Sequence, residues 1–62
     1  MDKLLTPEEA AKLLSVATIT IYKWANMGIL PHYRLERCIR FRERDLQAFV
    51  ETRRVENEKK TD

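Results

Sequence analysis

A chain of 62 residues with 35% charged residues and a net charge of only +2 makes one small domain, whose core holds about a dozen side chains. That size excludes a buried substrate pocket or an active site of many residues. The single cysteine, Cys38, excludes an internal disulfide and a cysteine zinc cage, and no apolar run is long enough for a signal peptide or membrane span, so a cytoplasmic protein is expected.

The distribution of charge says more than its sum. Between Ala17 and Arg42 lie five cations, Lys23, Arg34, Arg37, Arg40 and Arg42, against Glu36 alone. The acids gather instead at predicted helix starts (Glu8, Glu9, Glu43, Asp45) and in the tail. A positive zone on one part of a small domain is the footprint of a polyanionic partner, and a solvated charged surface is the plain alternative.

Leu5-Thr6-Pro7-Glu8-Glu9 predicts a helix start. Thr6 can cap, Pro7 suits the first helical position, and Glu9 completes a capping box. Helix 1 then spans Pro7–Leu14, with Ala10, Leu13 and Leu14 facing inward. Ser15-Val16-Ala17 breaks the stripe, and an apolar residue inside so short a turn points to a helix-turn-helix. Helix 2 runs from Thr18 to about Met27. Its Ile21, Trp24 and Ala25 recur at core spacing, while Thr18, Thr20, Lys23 and Asn26, with Tyr22 at the edge, form a polar face. Gly28, the sole glycine, fits the left-handed position after the helix; Ile29 and Leu30 lead back to the core, and Pro31 prevents continuation.

From His32 to Phe41 the apolar residues alternate. Tyr33 and Leu35 against Arg34, and Ile39 and Phe41 against Arg40, predict two antiparallel strands with one face in and one face basic. Their turn, Glu36-Arg37-Cys38, lacks the glycine or asparagine that tight hairpins favour. Arg42-Glu43-Arg44-Asp45 leads into helix 3, where Leu46, Phe49 and Val50 face the core. The predicted fold is mainly α with a small β-hairpin, in the order helix–turn–helix–wing–helix. It occupies residues 1–53, and residues 54–62 form a charged tail, disordered or frayed from helix 3.

Catalysis finds no support. One His and one Cys build neither a nucleophile with an oriented base nor a metal cage, and no Gly-rich phosphate loop is present, so no enzyme, metal or cofactor is expected. His32 reads as a wing-packing or exposed residue rather than a phosphate contact. Double-stranded DNA fits better, because a short helix in the major groove reads base edges while nearby cations fix register on phosphates. Thr18, Thr20 and Asn26 carry groups for bases or phosphate, and Lys23 suits a phosphate. Ile19 either meets a thymine methyl or packs on helix 1, and Tyr22 either reaches a phosphate or edges the core. Trp24 shares the register of Ile21 and Ala25 and is assigned to the core. Arg34, Arg37 and Arg40 belong to the wing, with Arg37 at its tip. Arg42 and Arg44 either join them or pair with Glu43, Asp45 or Glu9.

Taken in order, the motifs Leu-Thr-Pro-Glu-Glu-Ala-Ala-Lys-Leu-Leu (5–14), Ser-Val followed by Thr-Ile-Tyr-Lys-Trp (within 15–24), Gly-Ile-Leu-Pro (28–31), Arg-Leu followed by Ile-Arg-Phe (within 34–41) and Asp-Leu-Gln-Ala-Phe (45–49) resemble the excisionase-type, MerR-like DNA-binding domains. The resemblance covers residues 4–51 and implies a winged helix-turn-helix that binds duplex DNA without enzymatic activity. It implies either an excisionase that bends DNA and directs an integrase, or a small transcriptional regulator; cooperative self-association on DNA is left open, and a protein-binding adaptor is a third role. By position it places Thr18, Thr20, Tyr22 and Lys23 on the recognition helix and Arg34, Arg37 and Arg40 on the wing. The chain departs from the family pattern in having Ser15 for a turn glycine, Ala17 for a capping serine, Thr18 for a basic residue and Glu36-Arg37 for a glycine-rich wing tip.

Overall fold

The computed structural model describes residues 3–56. Six elements follow one another: β1 (Leu4–Leu5), α1 (Pro7–Leu14), α2 (Thr18–Asn26), β2 (Tyr33–Leu35), β3 (Cys38–Arg42) and α3 (Glu43–Thr52). This is the winged helix-turn-helix expected from the periodicities, with one addition. Leu4–Leu5 pairs antiparallel with β3, so the hairpin becomes a three-stranded sheet of order β1-β3-β2. Two residues are too few to show alternation, and a hairpin alone is marginal without such support. The part of the predicted tail at 57–62 lies outside the described residues.

The capping box forms as its spacing requires. The Glu9 amide donates to the Thr6 hydroxyl at 3.1 Å, and the Thr6 amide donates to the Glu9 carboxylate at 2.9 Å. That amide holds the Glu9 carboxyl below its ordinary range. α1 packs against α2, α3, β1 and β3, which makes it the central strut. Its buried face is Pro7, Ala10 and Ala11, and the small alanine side chains let the neighbours approach closely.

Around that face the fully buried side chains are Ile21, Leu30, Phe41 and Leu46, with Ala25 and Phe49 completing the core. Burying each large apolar side chain contributes about 1.5–3 kcal/mol. Trp24 leans on this cluster, its ring 5.3 Å from that of Phe49, and so ties α2 to α3. Leu13, Ile29, Leu35 and Val50, counted inside from their spacing, are instead substantially exposed, and Ala11 takes the place expected for Leu13. A helix of two turns has a narrow inward stripe, and one centred on Ala10 and Ala11 turns Leu13 outward.

Both α1 and α2 end in the same six-residue motif. After α1, the Ser15 amide donates to the Lys12 carbonyl at 3.2 Å and the Val16 amide to the Ala11 carbonyl at 3.0 Å. After α2, the Gly28 amide donates to Ala25 at 3.0 Å and the Ile29 amide to Trp24 at 3.2 Å. These are Schellman closures, which need a left-handed residue at the turn. Gly28 supplies it at φ +77 without strain, whereas Ser15 adopts φ +58 at a steric cost.

Strand register redistributes the wing residues. Tyr33 pairs with Arg40, Arg34 with Ile39 and Leu35 with Cys38. Directly opposed residues share a face, so Arg34 lies on the side of Ile39 and Phe41, and Arg40 lies on the outer side with Tyr33 and Leu35. The single basic face expected from alternation is therefore two faces, and Leu35 is on the outer one. The pairing of Leu35 with Cys38 also shortens the turn to Glu36-Arg37, with Glu36 at φ +57 in the position that glycine or asparagine would favour. On the outer face Arg42 donates to the Tyr33 hydroxyl, and its guanidinium stands 5.4 Å from that ring.

Ser15→Gly removes the left-handed strain and should raise thermal stability by about 1 kcal/mol. Gly28→Ala should lower it by a similar amount, because no atom within 4 Å would crowd the added carbon and only the backbone angle resists it. Equal melting temperatures for the three proteins would contradict this reading. Tyr33→Phe keeps the ring under Arg42 but deletes its acceptor, and urea titration should show a loss of about 1 kcal/mol.

Candidate nucleic-acid interface

The nine residues of α2 divide into a buried side and a solvent side. Ile21 and Ala25 are buried and Trp24 is half-buried, which fixes the rotation of the helix. Rotation then places Ile19, Tyr22, Lys23 and Asn26 outward at i, i+3, i+4 and i+7 spacing. Ile19 is 76% exposed and so does not pack on α1. Tyr22, at 44%, sits on the edge between core and solvent. Thr18 and Thr20 are half-buried at the helix start. Met27, four residues beyond Lys23 and 62% exposed, extends the stripe, a position that the i, i+4 spacing from Lys23 marks in the sequence.

From Ile19 to Asn26 the stripe is about 10 Å long, or about three base steps of duplex DNA. Its polar groups are an amide, an ammonium and a phenol, which can meet base edges or phosphates. The helix start also differs from the other two. The first turns of α1 and α3 each hold two acids, Glu8 with Glu9 and Glu43 with Asp45, whereas the first turn of α2 holds none. Ala17 at its N-cap, like Arg42 before α3, makes no side-chain capping bond. The positive end of the helix dipole is thus left without local neutralisation, which favours an approaching phosphate.

Among the wing arginines, Arg34 and Arg37 are exposed, Arg37 at the turn. Arg40 is half-buried and folds back, donating to the Ile39 carbonyl at 2.8 Å and lowering the Glu9 carboxyl from a distance. Arg42 is held by Tyr33 rather than by Glu43, Asp45 or Glu9. The structure therefore brings Ile19, Tyr22, Lys23 and Asn26 into one stripe, but it separates Arg34 from Arg40 and Arg42 by the thickness of the sheet. His32 packs into the wing root, with its Nδ1 donating to the Leu30 carbonyl at 2.9 Å and its ring 6.2 Å from Phe41.

A largely apolar groove of about 550 Å³ lies on the Trp24 flank of α2, lined by Leu14, Val16, Ile29, Phe49 and Val50 together with the charged Glu51, Arg53 and Arg54. Among the described residues no group of three or more His, Cys, Asp or Glu side chains is placed to hold a metal ion. No helix among them is long and apolar enough to cross a membrane.

Known proteins share this region. The transcriptional repressor DcmR of Methylorubrum extorquens is 43% identical over 51 residues, which cover 79% of this chain and 19% of the repressor. The uncharacterised protein YvgK of Bacillus subtilis is 40% identical over 50 residues, covering 81% of this chain and 16% of that protein. The chain thus spans less than a fifth of the length of either relative. No solved structure matches it. The model of a helix-turn-helix domain matches residues 4–54, spanning all six elements, and the chain belongs to that family of DNA-binding domains.

Proposed function

We propose that this domain binds double-stranded DNA with α2 in the major groove and the wing on the neighbouring backbone, without enzymatic activity or a cofactor. The observation that carries the reading is the asymmetry of α2. Its core face is fixed by Ile21, Trp24 and Ala25, and its opposite face offers Ile19, Tyr22, Lys23 and Asn26 beside an acid-free helix start. Asn26 suits an adenine edge and Ile19 the apolar part of the groove. Thr18, Thr20, Tyr22 and Lys23 suit phosphates that flank the contacted bases. Arg37, at the wing tip, extends the grip, and Arg34 or Arg40 adds to it according to which face of the wing meets the duplex.

The biological role follows in two readings. Transcriptional regulation is supported by the similarity to a repressor. The order of motifs supports an excisionase-type role, in which further copies bind alongside and an integrase is the protein partner. Footprinting on the DNA flanking the gene separates them: protection over a promoter supports regulation, and protection beside a recombination site supports excision.

Lys23→Ala and Arg37→Ala each remove one phosphate contact. Each should weaken duplex binding and reduce the slope of log affinity against log salt by about 0.9, with melting temperature unchanged. Affinity for every duplex, random or genomic, that ignores salt would overturn the proposal.

A further inference from the structure

Ile19 is the most exposed large apolar side chain on the described helices. It stands second in α2, inside the first turn, where the helix dipole favours acids and where a β-branched residue adds little helix propensity. At 76% exposed it buries little, so core packing and helix propensity account poorly for an isoleucine there. Its neighbours on the same stripe are Tyr22, Lys23 and Asn26, all able to bond with polar groups of DNA.

We infer that Ile19 reads the 5-methyl group of a pyrimidine in the major groove, a specificity that rests on the DNA-binding reading above. The N-terminal residues of a groove-bound helix are the ones that reach base edges. The 5-methyl is the apolar feature that a pyrimidine offers in that groove. Isoleucine in a helix holds one χ1 well, so its methyls are presented at little entropic cost. The aliphatic stem of Lys23, one turn on, and the ring of Tyr22 flank the contact and shield it from water. The same group occurs on thymine and on 5-methylcytosine, and a side chain without polar atoms recognises the group rather than the base that bears it.

The test begins with the duplex that the full chain selects from a random pool. At one thymine of that site, replacement by deoxyuridine, which deletes only the methyl, should weaken wild-type binding about fourfold. The Ile19→Ala variant should bind the thymine and deoxyuridine duplexes equally, with an unchanged melting temperature because the side chain is exposed. At the same position wild type should prefer 5-methyldeoxycytidine to deoxycytidine by a similar factor. Equal responses of wild type and Ile19→Ala to deoxyuridine at every position overturn the inference while DNA binding stands. No preference between the two cytosine forms would contradict recognition of the group itself. Failure of wild type to select any duplex would instead remove the DNA-binding reading on which the inference rests.

Discussion

The left-handed turn at Ser15 is the constraint on which the rest of the domain depends. It closes α1 with the Lys12 and Ala11 carbonyls and lets α2 begin three residues later. α2 then packs chiefly on α1, with Trp24 against Phe49 as its link to α3. Once the turn is set, the buried side of α2 is fixed by Ile21 and Ala25, and its solvent side follows by helical geometry. The strain at Ser15 is therefore borne by the element that aims the helix. The closure at Gly28 repeats the same bonds without strain and returns the chain, through Ile29 and Leu30, to the core before the wing.

Charge and shape are divided between the elements. The solvent stripe of α2 holds one full cation, Lys23, and the remaining positive charge of the central segment is on the wing. Wing register then disperses that charge, since Arg34 faces one way and Arg40 and Arg42 the other, with Arg42 committed to Tyr33. In the DNA complex proposed above, affinity would rest on a few separated phosphate contacts, with base discrimination left to a short helix. A neutral, partly apolar reading surface suits that division, because cations bind every sequence alike.

Much of this was legible in the residues. Thr6, Pro7 and Glu9 mark the α1 start by side-chain chemistry that acts locally, and Gly28 marks the α2 end for the same reason. The spacing of Ile21, Trp24 and Ala25 separates core from surface on α2. Other features depend on partners distant in sequence. The strand at Leu4–Leu5 exists because β3 offers an edge about 36 residues later. The faces of Arg34 and Arg40 depend on a two-residue turn at Glu36-Arg37, and a shift of one residue there inverts every side chain of β2. Leu13 and Val50 match the helical period yet remain exposed, because the stripes of short helices are narrower than their apolar inventory.

The central claim is that the solvent stripe of α2, rather than the apolar groove on its Trp24 flank, is the surface that meets DNA. Amide chemical-shift perturbation on titration with a selected duplex tests it most directly. The account predicts the largest changes at Thr18, Ile19, Tyr22, Lys23, Asn26 and Arg37, with Leu14, Val50 and Glu51 nearly unmoved. Changes concentrated on Leu14, Val50 and Glu51, with the α2 stripe silent, would contradict it.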